Sequence, residues 1–194
     1  MIWVTSDLHF QHETMIESGL RPWNFEKKLI RNWNSLVKST DTVLVLGDVA
    51  WRNDYTVLEK LNGRKILVRG NHDRKSCEAF LKHFDFACES FVWHYSGIDI
   101  IFSHEPLKSF SQDLNIHGHL HNKPLKSKRH LLISLELMGY GVHSLPALVR
   151  KWKDKNFKNK CWHLYKCMVQ YECEVRYDLY NWWFTWRVWY SEIT

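Results

Sequence analysis

The sequence predicts an α/β fold, a sandwich of mixed β-sheets flanked by helices, with an aromatic-rich β extension at its C-terminal end. Three observations predict it. Short apolar runs alternate with helical patterns through the first half, the order that builds parallel strands. The middle of the chain turns to hairpin signals. Near Lys151 the composition shifts: six of the eleven tryptophans, Trp152, Trp162, Trp182, Trp183, Trp186 and Trp189, lie in the last stretch. The expected organisation is therefore one domain over 1–150 and a basic, Trp-rich extension over 151–194, packed on the core or extending it.

Ile2–Thr5 is a short β-rich run that ends in Ser6-Asp7. Asn24 is placed to cap a helix over "FEKKLIRNWNSLVK", where Leu29, Ile30, Trp33 and Val37 recur at helical spacing. "DTVLVLGD" is a continuous apolar run bounded by a turn, the mark of a strand buried on both faces. "YTVLEKLNG" reads as a short helix, and "RKILVRGNHD" repeats the strand-then-glycine pattern. A helix is expected near Lys75–His83. "ESFVWHY" and "IDIIFSHEP" flank Ser96-Gly97 and form a hairpin. "LNIHGH" and "HLLISLEL" read as further strands, and "SLPALVRKW" as a last short helix. In the extension, "YECEVRYDLYNWWFTWRVWY" alternates with a period of two, which predicts two strands.

Composition narrows the function classes. Of 194 residues, 45% are hydrophobic and 25% charged, so a packed core is expected and disorder is not. The charge of +6 favours anionic partners such as nucleotides, nucleic acid or acidic lipid, without choosing among them. Five cysteines without a CxxC pair argue against a disulfide framework and for a reducing, cytoplasmic setting. The start of the chain reads as no signal peptide, and no apolar run approaches the ~20 residues that span a bilayer.

The chemistry lies at the strand ends. One strand runs into Asp7-Leu8-His9, the next into Gly47-Asp48, the third into Gly70-Asn71-His72-Asp73, and the hairpin into Ser103-His104. A further loop carries His117-Gly118-His119-Leu120-His121. Loops at the carboxyl ends of strands converge on one crevice in α/β sheets. Carboxylates, imidazoles and a carboxamide suit manganese, iron, zinc or nickel. In Asp7-x-His9 and His119-x-His121, side chains two apart on an extended backbone face the same way. Gly47, Gly70 and Gly118 precede candidate ligands where the chain must turn or approach an ion closely. His117 is expected on the other side of its strand end, as a structural residue.

Together these five segments resemble the signature of the calcineurin-like metallophosphoesterases, over roughly residues 1–140, in the type found in small single-domain bacterial and phage phosphoesterases. The resemblance implies that Asp7, His9, Asp48 and His121 bind one divalent metal. It implies that Asp48, Asn71, His104 and His119 bind a second, with Asp48 bridging. His72 would act on the leaving-group oxygen, with Asp73 orienting it or stabilising its charge. A metal-bridging hydroxide would attack the phosphorus. Manganese is the expected metal, with iron, zinc, nickel and magnesium as alternatives. Hydrolysis of a phosphodiester is the favoured activity, on a small or cyclic nucleotide or a nucleic acid. The rivals are a phosphomonoesterase, and a nucleic-acid or partner-binding module that keeps the metal site without turnover.

Three further residues are candidates for substrate contact by position alone: His12, Arg52 and Arg74. Trp33 is expected in the core, and Cys161, Cys167 and Cys173 are too widely spaced for a metal site. The extension is expected to cover an apolar surface. It also offers an interface for homo-oligomers, a stacking platform for single strands, or a membrane-surface contact.

Overall fold

Four parallel strands carry the front of the chain in the computed structural model, whose described residues are 1–156. They are β1 (Ile2–Thr5), β2 (Thr42–Val45), β3 (Arg64–Val68) and β4 (Phe86–Cys88). Helix α1 (Glu13–Glu17) and helix α2 (Phe25–Leu36) connect β1 to β2, and α3 (Cys77–Phe80) precedes β4. The strands lie in the order β4-β3-β2-β1, with Val4 opposite Leu44 and Leu44 opposite Ile66. The second sheet is β5 (Ser90–Tyr95), β6 (Ile98–Ser103), β7 (Leu114–His117) and β8 (His130–Leu132) in that spatial order. Only the β5–β6 hairpin is antiparallel in it. After β8 come α4 (Leu135–Met138) and β9 (His143–Ser144), which joins the first sheet antiparallel to β1. Both sheets are therefore mixed, and the fold is the expected α/β sandwich.

The run "DTVLVLGD" explains the layers. Val43 and Val45 enter one core with Leu29 and Trp33 of α2, while Leu44 and Leu46 enter a second core with Ile100, Phe102 and Ile116 of the other sheet. Alternation with both faces apolar buries β2 completely. A final helix, α5 over residues 145–156, inserts Leu148, Val149 and Trp152 into the second core. At about 25 cal/mol per Å² of apolar area, these two cores supply most of the driving force for folding.

Several local expectations change. The short helix expected at "YTVLEK" is present and is of the 3₁₀ type, capped by Asp54. "HLLISLEL" is not one strand. Ser134 accepts the N–H of Leu137 and starts α4, and Gly139 at φ +76° ends it. Helix α1 has one buried residue, Met15, so it leaves no apolar period to read. Asn24 precedes α2 without a side-chain cap. In the hairpin, Ser96 and Gly97 both have positive φ, as a two-residue turn matched to strand twist requires. The hairpin expected in the Trp-rich extension, and Cys161, Cys167 and Cys173, lie outside the described residues. No helix among the described residues is long and apolar enough to cross a membrane.

Candidate metal centre

The loops after β1, β2, β3, β6 and β7 meet at one end of the sandwich. The first two are laced by backbone bonds, from Asp7 N–H to Gly47 O (3.0 Å) and from His9 N–H to Asp48 O (2.8 Å). Asp7, His9, Asp48, His119 and His121 all have φ between +46° and +69°. The extended backbone expected for Asp7-x-His9 and His119-x-His121 is therefore replaced by left-handed kinks. Each kink turns its ligand candidate inward while Leu8 drops into the core. Non-glycine residues adopt this region at a cost, and such strain collects at functional sites.

Glycine makes the approach feasible at Gly118. A Cβ there would lie on Ser6 Oγ and Asp7 Oδ2. Ser6 Oγ in turn lies 2.7 Å from both Asp7 Oδ2 and Leu46 O, and the N–H of His119 donates to both Asp7 oxygens.

Two ligand groups result. Asp7, His9 and His121 bring one donor atom each within 4.8 Å of one another, as do Asp7, Asp48 and His104. Asp48 Oδ2 stands between them, 3.5 Å from His9 Nε2 and 3.4 Å from His104 Nε2. Asn71 Oδ1 lies 2.9 Å from His104 Nε2 and 3.1 Å from His119 Nδ1, and those two nitrogens are 3.2 Å apart. Separations of roughly 3.0–3.5 Å are those of donors sharing an ion at about 2.1 Å each. His104 Nδ1 donates to Leu46 O at 2.8 Å, so Nε2 is the nitrogen turned to the centre.

The electrostatics suit a cation. His9 Nε2 is buried and has no hydrogen-bond partner among the described residues, although it faces carboxylates. Burial pushes the His9 imidazole down to about 2, against the pull of Asp48. Burial raises the Asp7 carboxyl. Burial would raise Asp48 as well, but the bond and charge of His104, the His72 N–H and His9 outweigh it and hold Asp48 at about 2. Burial likewise opposes the charged form of His104, yet Asp48 and Asp7 raise it to about 9. Buried acceptors facing one another in this way fit divalent metal.

His72 stands at the rim with about a third of its side chain exposed. Its N–H donates to Asp48 Oδ1 at 2.9 Å, and its Nε2 is 4.0 Å from Asp48 Oδ2. Asp73 is not beside it as an orienting group. Its buried carboxylate accepts the N–H groups of Asp48, Gly70 and Val49 at 2.8, 2.9 and 3.1 Å, and the hydroxyl of Tyr55 at 3.3 Å. Asp73 thus braces the loops rather than the imidazole.

His12 is brought to the centre, with Nδ1 3.4 Å from His9 Nδ1. Arg52 is exposed, 4.0 Å from Glu13, on a cleft of about 430 Å³ that His12 shares. Arg74 is exposed, and its backbone N–H donates to Asn53 Oδ1 at 3.2 Å. His117 is buried in β7 against His130 and belongs to neither ligand group. A second groove, of about 670 Å³, runs beside His119 and His121 to Lys123.

Three residues at the site had no sequence signal of their own. Trp51 is 43% exposed, stacks on His12 at 3.8 Å and stands 5.1 Å from the His72 ring. Arg21 and Glu136 are buried behind Asp7 and His121. Only the position of Trp51, three residues after Asp48, could have flagged it. Arg21 and Glu136 belong to no motif.

The chain is similar to several known proteins. The uncharacterized protein MJ1445 of Methanocaldococcus jannaschii is 30% identical over 168 residues, covering 77% of this chain and 89% of its own. The Gene 66 protein of Mycobacterium phage D29 is 35% identical over 82 residues, which cover 38% of this chain and 40% of the phage protein. Among solved structures, AQ665 of Aquifex aeolicus, a protein of unknown function, superposes with a TM-score of 0.67 at 28% identity, over 77% of this chain and 98% of its own. The family model for calcineurin-like phosphoesterases matches residues 1–169, which include every ligand candidate described above. With that match and this fold, the chain belongs to the calcineurin-like phosphoesterase family.

Proposed function

We propose that the protein hydrolyses a phosphodiester with two divalent cations, one held by Asp7, His9, Asp48 and His121 and the other by Asp48, Asn71, His104 and His119. The observation that carries this reading is the near-equal reach of Asp48 Oδ2 to His9 Nε2 and His104 Nε2, 3.5 and 3.4 Å. One carboxylate oxygen midway between two imidazoles is the geometry of a bridging ligand. When bound, the two ions would activate water and neutralise the phosphoryl oxygens. His72, at the rim with its ring partly exposed, is the residue proposed to meet the leaving-group oxygen and protonate it or stabilise its charge. Manganese is the metal proposed, within the set of manganese, iron, zinc and nickel that carboxylate, carboxamide and imidazole donors suit.

The substrate side favours a nucleotide or nucleic-acid ester. Trp51 presents an exposed indole next to His72, so a planar group leaving from the phosphate has an aromatic surface to lie on. The two open grooves and the charge of +6 suit an anionic chain or a small diester. A reducing cytoplasm is the proposed setting, and the extension the proposed seat of any homo-oligomer contact.

The test is hydrolysis of bis-p-nitrophenyl phosphate by metal-stripped protein, with and without Mn²⁺, beside p-nitrophenyl phosphate. Mn²⁺-dependent turnover of the diester well above the monoester supports the proposal. Preference for the monoester makes the protein a phosphatase. Bound metal without turnover of either, or of a panel of cyclic nucleotides and RNA, makes the site a binding device.

A further inference from the structure

Behind the metal centre, one carboxylate gathers three contacts. Arg21 Nε and Nη2 each lie 2.8 Å from Glu136 Oε1, and His121 Nδ1 lies 3.1 Å from the same oxygen. The Arg21 guanidinium is fully buried, and Glu136 nearly so. Arg21 also reaches forward: Nη1 donates to Leu8 O at 2.8 Å, and Nη2 to Asp7 O at 2.7 Å. Ser134, which caps α4, donates its hydroxyl to His121 O at 2.6 Å. The first turn of α4 therefore fixes both the backbone and the ring of His121, and through Arg21 it grips the turn that carries Asp7 and His9.

Asp7 and His121 are thus tied to Glu136, and the turn into His9 is held through Leu8 O. In the second subsite His104 is held by Leu46 O, and His119 touches this network only through its backbone N–H on the Asp7 carboxylate. A buried ion pair contributes little net stability, because desolvation offsets most of its attraction. Its geometric effect here is specific. With Nδ1–H donated to Glu136, His121 keeps its lone pair on Nε2, so the neighbour decides which nitrogen can bind metal.

We propose that Arg21 and Glu136 are positioning residues for one metal subsite. They preset Asp7, His9 and His121 to take a cation, and they reach the subsite of Asn71, His104 and His119 only indirectly, through Asp7. This rests on the two-metal reading above. Groups that orient metal-bound histidines typically change affinity 10–100-fold.

The experiment is Mn²⁺ titration of the metal-stripped full chain by equilibrium dialysis, for wild type, Glu136→Gln and His119→Ala, with thermal unfolding of each metal-free protein. The wild type is expected to bind two ions. Glu136→Gln should weaken one class of ion by roughly 10–100-fold and the other far less, and His119→Ala should weaken chiefly the other class. Wild-type affinity of both classes in folded Glu136→Gln protein overturns the inference, as does the same class weakened alike by both substitutions. A wild type that binds no cation defeats the underlying site reading, and the inference with it. A measurement without variants stands beside this, should Glu136→Gln not fold. Imidazole ¹⁵N NMR of the wild type should show His121 Nδ1 protonated before and after metal is added. Metal bound at His121 Nδ1 overturns the inference.

Discussion

The carboxylate of Asp73 accepts the backbone N–H of Asp48 at 2.8 Å and that of Gly70 at 2.9 Å, both on Oδ2. It therefore joins the loop after β2 to the loop after β3, directly beneath Asp48. Asp73→Asn would turn an amide donor toward N–H groups that need an acceptor. The expected cost is about 2–4 kcal/mol, as for a buried network left with unmet donors. Asp48 would move with it, so Mn²⁺ affinity should fall too. Urea unfolding of the metal-free protein and Mn²⁺ titration check this. A variant with wild-type stability and metal affinity that lost only its rate would restore Asp73 to the role of orienting His72.

His72 should behave in the opposite way. Its side chain lies at the rim, and the contact it makes with Asp48 at hydrogen-bond distance comes from its backbone N–H, which any residue supplies. His72→Ala is expected to fold, to bind both ions, and to lose roughly 10²–10⁴ in kcat, the range for a group that protonates a leaving oxygen. The loss should be smaller for p-nitrophenolate, which departs without a proton, than for an alkyl alcohol. Asp48→Asn should instead abolish both activity and tight metal binding. If His72→Ala loses its metals, the division of roles is wrong.

How much of this was legible in the sequence follows from the physics of each residue. β2 could be read because both of its faces are apolar, and the hairpin because Ser96-Gly97 suits a left-handed turn. The ligand segments were legible as motifs, yet the geometry that joins them was not. Asp7 and His9 meet through left-handed kinks, imposed by backbone bonds from residues some 40 positions away in the chain. The resemblance made Asp73 a partner of His72. Its real partners are backbone groups, which carry no side-chain signature. Arg21 and Glu136 meet across 115 positions, a pairing that no local pattern encodes.

Gly118→Ala tests the close approach of the loops. The added methyl would fall on Ser6 Oγ and Asp7 Oδ2, buried groups with no room to yield. Overpacking of this kind costs roughly 1–3 kcal/mol. Displacement of Asp7 should also weaken Mn²⁺ binding in the titration. A variant with unchanged denaturation midpoint and metal affinity would mean that the β7 loop can retreat from Asp7. Gly19 is the control, since a Cβ there meets nothing within 4 Å and any effect of Gly19→Ala comes from its φ of +73° alone.

Asp54 gives the acid limb of stability a specific source. Its carboxylate takes the Thr56 hydroxyl at 2.7 Å, the Gln11 amide at 2.9 Å and the Thr56 N–H at 3.1 Å. The Thr56 hydroxyl, then Gln11 and the Thr56 N–H, hold it at about 2, below the ordinary 3.8. The folded state binds this proton more weakly than the unfolded chain does. The contribution is therefore complete above pH 3.8 and disappears as pH falls toward 2. Asp54→Asn should be less stable than wild type at pH 6, and the gap should narrow steadily below pH 4. Denaturation midpoints of the metal-free proteins between pH 2.5 and 6 measure it. A gap independent of pH would mean that the cap on the 3₁₀ helix acts through shape and not through its charge.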